Sequence, residues 1–482
     1  MEKILFVTGK DAENGLKMVL RKNKIPGEIH VCKVNVAAFI TPEVLMNELS
    51  EKKINFDKVI LSGKTNGDFS AVEKKFNIKV VKGPECFMSL PEFLKLEKKN
   101  TEKYFSELKN ERSSFAIGKN KKVFLNRKIS RVIAEIVDAP KLREKELIER
   151  AKYYEKSGAE ILDIGMVANE DNSKKIPKII ETLRKKTNLP LSIDTLNKKE
   201  ILTAINSGID LIISLDFSNY EVAEKIKVPF VIIPRDEKGN VPKNAEERIT
   251  LVERLMKKSN NKNFVVDMIL NPVGMDFSES LKAFIMFRKK YPQSPMMMGL
   301  GNVTELMDVD SVGVNGLLAG IASELNIGLL LTTEASQKTK NSVKELSKAA
   351  KMMFLAKCAK QTPKNLGMNL LVLKDKEKYA LSEKNKNLKV ITTGKVEEDK
   401  LEIFSFMIFL KDEKINVLLY EGKKPKLKFL GTSAEDLYKR ILSKNFINSL
   451  EHAAYLGREL GKAEIALQLG KNYIQDEELF KV

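Results

Sequence analysis

Eight short apolar runs, spaced roughly 25 to 35 residues apart through the middle of the chain, constrain the fold more than any other feature. Amphipathic helical patterns such as "KELIERAKYYEKSG" and "IPKIIETLRKKT" lie between them. Eight strands that alternate with helices over roughly 230 residues predict a (β/α)8 barrel, with a doubly wound open sheet as the alternative. The runs occupy residues 131–140, 159–165, 190–195, 210–217, 229–234, 263–270, 295–302 and 327–333.

Acidic or amide residues stand near the carboxyl end of most of these runs. Barrel enzymes keep their chemistry at the carboxyl ends of the strands, so these residues are candidates for a ligand site. Each could instead cap the next helix, because Asp and Asn are favoured N-caps. The set is Asp138, Asp163, Asp194, Asp216, Asp267 and Asn302, with Thr332, Thr333 and Glu334 after the last strand.

Two further regions flank the predicted barrel. Short β-rich and helical runs alternate at the beginning of the chain, which is typical of a small α/β domain with parallel strands. The end of the chain combines strand-rich pieces, two of them joined by "KDEK" as in a hairpin, with a helical tail. We therefore predict a small α/β domain at 1–95, a charged helical linker at 96–125, the barrel at 126–362 and an α+β domain at 363–482.

Histidine and cysteine usage excludes several kinds of site. The two histidines, His30 and His452, both lie outside the predicted barrel, so a His-based triad, a histidine base or a His-ligated metal is excluded there. Cys32, Cys86 and Cys358 are widely spaced and form no CxxC pair, so we predict neither a disulfide framework nor a zinc site. This cysteine usage predicts a reducing compartment.

The charge and the hydropathy of the chain limit the kinds of partner that it can be expected to bind. A net charge of +19 attracts anions, including phosphorylated small molecules, but no arginine-rich block or RNA-binding signature accompanies it. No apolar run is long enough for a membrane span or a signal sequence. We predict a cytoplasmic protein that binds neither nucleic acid nor membranes.

Carboxylates and amides at the bottom of a cleft suit a planar ligand edge that offers several N–H donors and ring nitrogens. A 2-amino-4-oxo-pteridine has such an edge, because a carboxylate can accept two hydrogen bonds from its amidine-like N–H pair. A purine or a pyrimidine fits the same chemical logic.

The motif "GAEILDIG", followed one βα period later by "LSIDT", resembles the pterin-binding barrels. This superfamily contains the dihydropteroate synthases and the methyltetrahydrofolate-dependent corrinoid methyltransferases. The resemblance covers residues 130–340, and the whole chain resembles the dihydropteroate synthase-related proteins of methanogenic archaea. It implies a reduced pterin of the tetrahydromethanopterin or tetrahydrofolate class, and a homodimer.

Site residues follow from the resemblance one position at a time. Asp194 matches the pterin-facing aspartate of both branches, and Asp267 or Asn271 the pterin contact of the sixth strand. Asn302 matches the methyltransferase asparagine beside the nitrogen that loses its methyl group, where a synthase carries lysine; Asn302 and Asp267 are the implied catalytic residues. The implied pterin-binding set is Asp194, Asp216, Asn219, Asp267, Asn271, Gly299, Gly301 and Asn302, and the candidate substrate contacts are Asp138, Asp163, Asn169, Thr304 and Glu334.

The synthase pattern is incomplete in this chain. "DIGMVANED", "RVIAEIVDAP" and "LLLTTEAS" lack the synthase loops that bind the substrate and its pyrophosphate. The fourth strand has Ser214 or Ile213 where both branches carry a pterin-binding asparagine, and Asp216 or Asn219 could substitute. The resemblance therefore implies methyl transfer between the pterin and a corrinoid acceptor, with synthase-type condensation or a non-catalytic pterin-binding subunit as alternatives.

The tail "LEHAAYLGRELGKAEIALQLGKNYIQDEEL" resembles a domain of methanogen proteins linked to the corrinoid-bearing subunit of tetrahydromethanopterin methyltransferase. A corrinoid protein is therefore a candidate partner. His452 could be a cobalt ligand, but its apolar helical surroundings favour a packed or capping histidine.

Overall fold

The computed structural model describes residues 3–94 except 52–54, 66, 85–86, 88–89 and 92, then 116–125, 129–373 except 365 and 367, and 404–480 except 448. Most of the predicted linker and the predicted strand "LKVITTG" lie outside the described residues. The chain forms two compact units. One contains the N-terminal sheet, a short two-stranded hairpin and the barrel, and the other contains the C-terminal sheet.

The N-terminal part is a parallel sheet in the order β2-β1-β3-β4 with helices between its strands, as predicted. Helix α2 begins after Thr41, whose side chain accepts a hydrogen bond from the Val44 amide. The strands are β1 (Ile4–Thr8), β2 (Glu28–Val31), β3 (Lys58–Leu61) and β4 (Lys79–Lys82), and the helices are α1 (Glu13–Lys22), α2 (Pro42–Ser50) and α3 (Ser70–Phe76).

Eight parallel strands close into a barrel in the order β10-β11-β12-β13-β14-β7-β8-β9. This closure confirms the predicted barrel and excludes the open sheet. A short hairpin, β5 (Ala116–Ile117) with β6 (Val123–Phe124), contributes Ile117 and Val123 to the interior cluster of the barrel. The barrel strands are β7 (Arg131–Ile136), β8 (Ile161–Gly165), β9 (Leu191–Asp194), β10 (Leu211–Leu215), β11 (Phe230–Ile232), β12 (Phe264–Asp267), β13 (Met296–Gly299) and β14 (Leu329–Thr333).

Helices cover the outside of the barrel, with one departure from the predicted alternation. A 3-10 helix at Tyr220–Lys225 follows β10 in place of an α-helix, after a hydrogen-bonded turn at 216–219. No helix in the described part of the chain is long and apolar enough to cross a membrane. The helices are α4 (Glu144–Ser157), α5 (Ile176–Arg184), α6 (Lys198–Asn206), α7 (Ala245–Lys258), α8 (Phe277–Lys290), α9 (Gly301–Thr304), α10 (Ser311–Glu324) and α11 (Ser342–Ala359).

Side-chain alternation gives the barrel an apolar interior and a polar mouth. Ile133, Ile161, Val265 and Met297 pack in the interior cluster, whereas Met296 and Met298 belong to the cluster under the helices. Residues two positions further along a strand share its inward face. That face therefore continues, toward the carboxyl ends, into Glu135, Asp163, Asp267 and Gly299.

The C-terminal unit is an antiparallel sheet packed on two helices, and its first two strands confirm the predicted hairpin. Asp412 and Glu413 form the turn, with φ of 53° and 54°. Positive φ at both central residues is typical of the two-residue hairpin turn whose twist matches that of the flanking strands. The centroid of the His452 ring lies 5.2 Å from the centroid of the Phe406 ring, as expected for a packed histidine. The elements are β15 (Phe404–Lys411), β16 (Lys414–Glu421), β17 (Lys424–Gly431), α12 (Ala434–Leu442) and α13 (Leu450–Leu469).

Candidate functional site

Three adjacent strands bring carboxyl groups together at one side of the barrel mouth. Glu135 of β7 pairs in register with Asp163 of β8, and Gly165, two residues further on, pairs with Asp194 of β9. A Cβ on Gly165 would lie 2.5 Å from Oε1 of Glu135, so the Glu135 side chain lies over this glycine. Because neighbouring strands are separated by only about 4.8 Å, the three carboxyl groups share one corner of the mouth.

Serine hydroxyls hold two of these carboxylates. The Ser192 hydroxyl donates to Oδ1 of Asp163 at 2.6 Å, and the Ser214 hydroxyl donates to Oδ1 of Asp194 at 2.5 Å. Among the described residues, Oδ2 of Asp163 has no hydrogen-bond partner although the residue is fully buried. An unpartnered buried acceptor is costly, and a ligand with an N–H donor would relieve that cost.

Burial raises the pKa of every carboxyl group in this corner, and repulsion from neighbouring carboxylates adds to the shift for Asp163 and Glu135. The pKa of Asp163 lies well above its usual range because of burial and the nearby charges of Asp194 and Glu135. Burial raises the pKa of Glu135 to about 7, with Asp194, Asp138 and Glu305 adding to the shift, and burial also raises the pKa of Asp194. The corner therefore retains protons near neutral pH, and donors or positive charge from a ligand would stabilise its ionised form.

Asp267 adds a fourth carboxyl group from β12. Its Oδ1 accepts a hydrogen bond from the Ile269 amide at 2.8 Å, and burial, then the charge of Asp194, raises its pKa to about 7. A Cβ on Gly299 would lie at an ordinary 3.8 Å from Oδ2 of Asp267. The position therefore has room for a small side chain, and the structure does not require glycine there.

A buried arginine holds the backbone after β12 in an unusual conformation. Ile269 has φ of +59°, which is rare for a β-branched residue and is found at sites where the surroundings impose it. The Arg248 guanidinium donates to the carbonyls of Met268 and Ile269 and, at 2.9 Å, to Oδ1 of Asn271. The Asn271 side-chain oxygen, one of the predicted pterin acceptors, is thus occupied by Arg248.

The predicted contacts after the fourth strand are also occupied by protein partners. Asn219 accepts from the Asp216 amide at 3.0 Å and donates to the carbonyl of Ser214 at 3.0 Å. Asp216 accepts from the amide and hydroxyl of Ser218, and its other oxygen lies 3.3 Å from Nη1 of Arg235. These residues build the turn that gives Ser214 its φ of +71° and directs its hydroxyl at Asp194.

Two of the candidate substrate contacts form bonds that hold helices in place. Glu334 accepts from the Val343 amide at 3.1 Å and from the Tyr153 hydroxyl at 3.0 Å, which joins the end of β14 to α11 and α4. Thr304 is buried, and its hydroxyl donates to the carbonyl of Leu300, the N-cap residue of its own helix. The structure does not bring either side chain into the carboxylate corner.

The remaining candidates lie on the solvent-exposed edge of the barrel mouth. Strand β13 ends at Gly299, so Asn302 lies in the short helix α9, where its side chain is exposed and donates to the Leu270 carbonyl at 2.9 Å. Asn169 is exposed with φ of +61°, and Asp138 lies 3.2 Å from the Lys141 ammonium. A Cβ on Gly301 would meet the Thr333 side chain at 3.1 Å, so this glycine permits close packing against β14.

The strand-end carboxylates do not cap the following helices. The N-caps of α5, α6 and α8 are Lys175, Asn197 and Asp276, none of which ends a strand. Asp138 precedes a 3-10 helix without a side-chain capping bond. The alternative that these residues are helix caps is therefore wrong for the strand ends of β8, β9 and β12.

Sequence reasoning missed Glu135, Ser192 and Arg248. Glu135 follows the interior residue Ile133 by two positions, so the parity of the first strand could have placed it on the inward face. The prediction instead selected Asp138, which lies beyond the end of that strand.

Three family models and a curated relative match separate parts of the chain. A family model described as "Pterin binding enzyme" matches residues 138–279, "Family of unknown function (DUF6513)" matches 2–85 and "PterinBD-DUF4346" matches 404–476. The "Uncharacterized protein ycf91" of Porphyra purpurea is 36% identical over 89 residues, which cover 17% of this chain and 74% of that protein.

Two solved structures are similar to half of the chain. A Yersinia pestis DHPS structure with a pterine-sulfa conjugate is 16% identical and covers 51% of this chain and 100% of its own, with a TM-score of 0.41. The Vibrio fischeri 7,8-dihydropteroate synthase is 17% identical and covers 52% of this chain and 100% of its own, with a TM-score of 0.39.

One relative matches nearly the whole length. The "Uncharacterized protein MJ0107" of the archaeon Methanocaldococcus jannaschii is 36% identical over an alignment that covers 99% of both chains. This similarity shows that the chain belongs to the family of that archaeal protein, and the "Pterin binding enzyme" model matches a part of its barrel.

Proposed function

We propose that the barrel mouth binds a reduced pterin of the tetrahydromethanopterin or tetrahydrofolate class and takes part in methyl transfer between that pterin and a corrinoid acceptor. The observation that carries the proposal is the buried carboxylate corner, in which Oδ2 of Asp163 has no donor among the described residues. The 2-amino group and ring N–H of a pterin are donors of the kind that such acceptors need.

Removing a methyl group from a tertiary amine leaves electron density on the nitrogen, which a proton must neutralise. Glu135 and Asp267, whose pKa values lie at about 7, are suited to deliver that proton directly or through one water. Asn302, exposed at the edge of the barrel mouth, could orient the same nitrogen through its amide. The methyl acceptor, implied by the resemblance, would be a cobalt(I) corrinoid on a partner protein.

Charge at the end of β7 favours methyl transfer over condensation with an arylamine. Condensation displaces pyrophosphate, whose leaving oxygens need cationic stabilisation. Asp138 and Glu305 lie close enough to Glu135 to raise its pKa, and the negative charge of these two neighbours would oppose a pyrophosphate group. Synthase-type condensation and a non-catalytic pterin-binding subunit remain the alternative functions.

Calorimetric titration of the purified full-length protein tests the ligand class. We expect binding of methyl-tetrahydromethanopterin or methyl-tetrahydrofolate, and weaker or no binding of hydroxymethyl-dihydropterin pyrophosphate. If none of the three compounds binds, the proposal is wrong, and tighter binding of the pyrophosphate ester would support condensation.

The role of Asn302 has its own test. Asn302→Ala should weaken binding of the methylated pterins roughly tenfold through the loss of one hydrogen bond, with little effect on the pyrophosphate ester. Asn23→Ala is the matched control, because Asn23 is another exposed amide that donates to a backbone carbonyl, at 2.9 Å, but lies in the N-terminal sheet domain.

Turnover separates the enzyme from a carrier. Formation of methylcobalamin from cob(I)alamin and the bound methyl-pterin, followed by absorbance, would support methyl transfer. Binding without transfer, either to cob(I)alamin or to a corrinoid protein that co-purifies with the chain, would support the non-catalytic alternative.

A further inference from the structure

Three metal-binding side chains meet in the N-terminal sheet domain, outside the barrel. His30 lies in β2, Cys32 follows that strand, and Glu48 lies on α2; their exposed fractions are 6%, 0% and 9%. One ligand atom from each lies within 4.8 Å of the others. We propose that His30, Cys32 and Glu48 bind one transition-metal ion of the Zn²⁺ class.

The positions of the three residues place their side chains on one side of the strand. His30 and Cys32 are two residues apart at the end of β2, and alternate residues of a strand share a face. Glu48 lies on the core-facing side of α2 between Leu45 and Leu49, both fully buried. A glutamate is rarely this buried unless it is paired or binds a metal; here its side-chain partner is His30, and an ion bound by both residues would meet the same need.

The contacts already hold the carboxylate in an orientation that suits a ligand. Oε1 of Glu48 accepts the backbone N–H of Lys33 at 2.8 Å, and Oε2 lies 3.1 Å from Nε2 of His30. In a tetrahedral zinc site with bonds of about 2.0–2.3 Å, ligand atoms lie roughly 3.3–3.8 Å apart. Side-chain rotations that bring the atoms together by about an ångström complete that geometry, and the bond to Lys33 keeps the carboxylate aligned.

The donor set and the charge select the metal class. Imidazole nitrogen with thiolate sulfur favours zinc and its borderline-soft neighbours, whereas magnesium and calcium prefer oxygen ligands alone. One divalent ion balances the Cys32 thiolate and the Glu48 carboxylate while His30 stays neutral, which gives a buried unit without net charge. Three protein ligands leave a fourth position for water or another small ligand.

Cobalt titration of the chelator-treated full-length protein tests the site. Co²⁺ should bind one equivalent per chain and produce a thiolate-to-cobalt charge-transfer absorption, and Zn²⁺ should displace it. Cys32→Ser should abolish this absorption, and His30→Gln and Glu48→Gln should each raise the dissociation constant at least about tenfold. Cys358→Ser, in the barrel unit, is the control that should leave the absorption unchanged.

A second measurement covers variants that fold poorly. Wild-type protein should show a higher thermal midpoint with Zn²⁺ than with chelator, because an ion that binds only the folded state stabilises it. Cys32→Ser protein with a native circular dichroism spectrum should lose this difference. Less than half an equivalent of bound cobalt in the wild type, or a charge-transfer absorption that persists in Cys32→Ser, would show that the three residues form only a hydrogen-bonded cluster.

Discussion

Asp163 and Asp216 both follow the apolar part of a barrel strand and both are fully buried, but their surroundings differ. Asp216 receives two hydrogen bonds from Ser218 and lies 3.3 Å from the Arg235 guanidinium. Asp163 receives one bond from Ser192. The second oxygen of each aspartate has no hydrogen-bond partner among the described residues, but that of Asp216 faces a guanidinium, whereas Asp163 has the acidic side chains of Asp194 and Glu135 nearby. Carboxylates on the inward strand face therefore remain available to a ligand, whereas those in the loops are used to build the rim.

The rim is here the set of residues in and beside the loops after β10 and β12 that bind one another, namely Asp216, Asn219, Asn271 and the α7 residue Arg248. Substitutions in the rim and in the carboxylate corner should therefore have different effects. Substitutions in the rim should reduce stability, because its polar groups satisfy the backbone of strained loops. Substitutions in the corner should reduce ligand affinity and leave stability unchanged or higher, because repelling carboxylates are removed. The three predictions that follow test this difference, from the largest expected effect to the smallest.

Arg248→Met should cost about 4 kcal/mol of barrel stability. The substitution leaves buried carbonyls and the Asn271 side chain without a donor, and each such loss costs about 1–3 kcal/mol. Thermal unfolding should show the decrease, with Arg143→Met, whose side chain is 84% exposed, as a control that unfolds like the wild type. A wild-type midpoint for Arg248→Met would mean that the rim does not hold the loop.

Asp194→Asn should weaken binding of the methylated pterin roughly 100-fold, or about 2.7 kcal/mol, because a charge-assisted acceptor is lost. Calorimetry measures the affinity, and the thermal midpoint should not fall. Asp171→Asn, which removes an exposed carboxylate that pairs with Lys199, should bind as the wild type does. Equal affinities for Asp194→Asn and wild type would remove the corner from the ligand site.

Glu135→Gln should change the pH dependence of stability by about 2 kcal/mol. The folded pKa of Glu135, about 7, lies above the ordinary glutamate value, so the folded state holds an extra proton between about pH 4.5 and 7. Wild-type stability from this group therefore falls as pH rises through that range. Denaturant unfolding at pH 5 and pH 8 should show that the variant gains stability relative to wild type mainly at pH 8.

The control and the contradicting result for Glu135 are simple. Glu149→Gln removes a glutamate whose side chain is 63% exposed and should keep the wild-type pH profile. A Glu135→Gln variant that is less stable than wild type at pH 8 would contradict the prediction. It would show that favourable bonds to the ionised Glu135 carboxylate outweigh the cost of burying its charge.

Much of the fold could be predicted from sequence because it depends on local periodicity. All eight barrel strands occur within the predicted runs, and the inward carboxylates Asp163, Asp194 and Asp267 were among the predicted residues. Which polar groups are already satisfied could not be predicted, because their partners are distant in sequence. Asn219 donates to the Leu196 carbonyl and Asn271 accepts from Arg248, both 23 residues away.

A structure of the complex with methyl-tetrahydromethanopterin tests the central claim most directly. We predict that the N–H edge of the pterin lies within about 3 Å of carboxyl oxygens of Asp194 and Asp267, with a donor on Oδ2 of Asp163. Asn219 and Asn271 should keep their bonds to the protein. A pterin bound at these rim amides, or away from the barrel mouth, would contradict the assignment of the carboxylate corner as the ligand site.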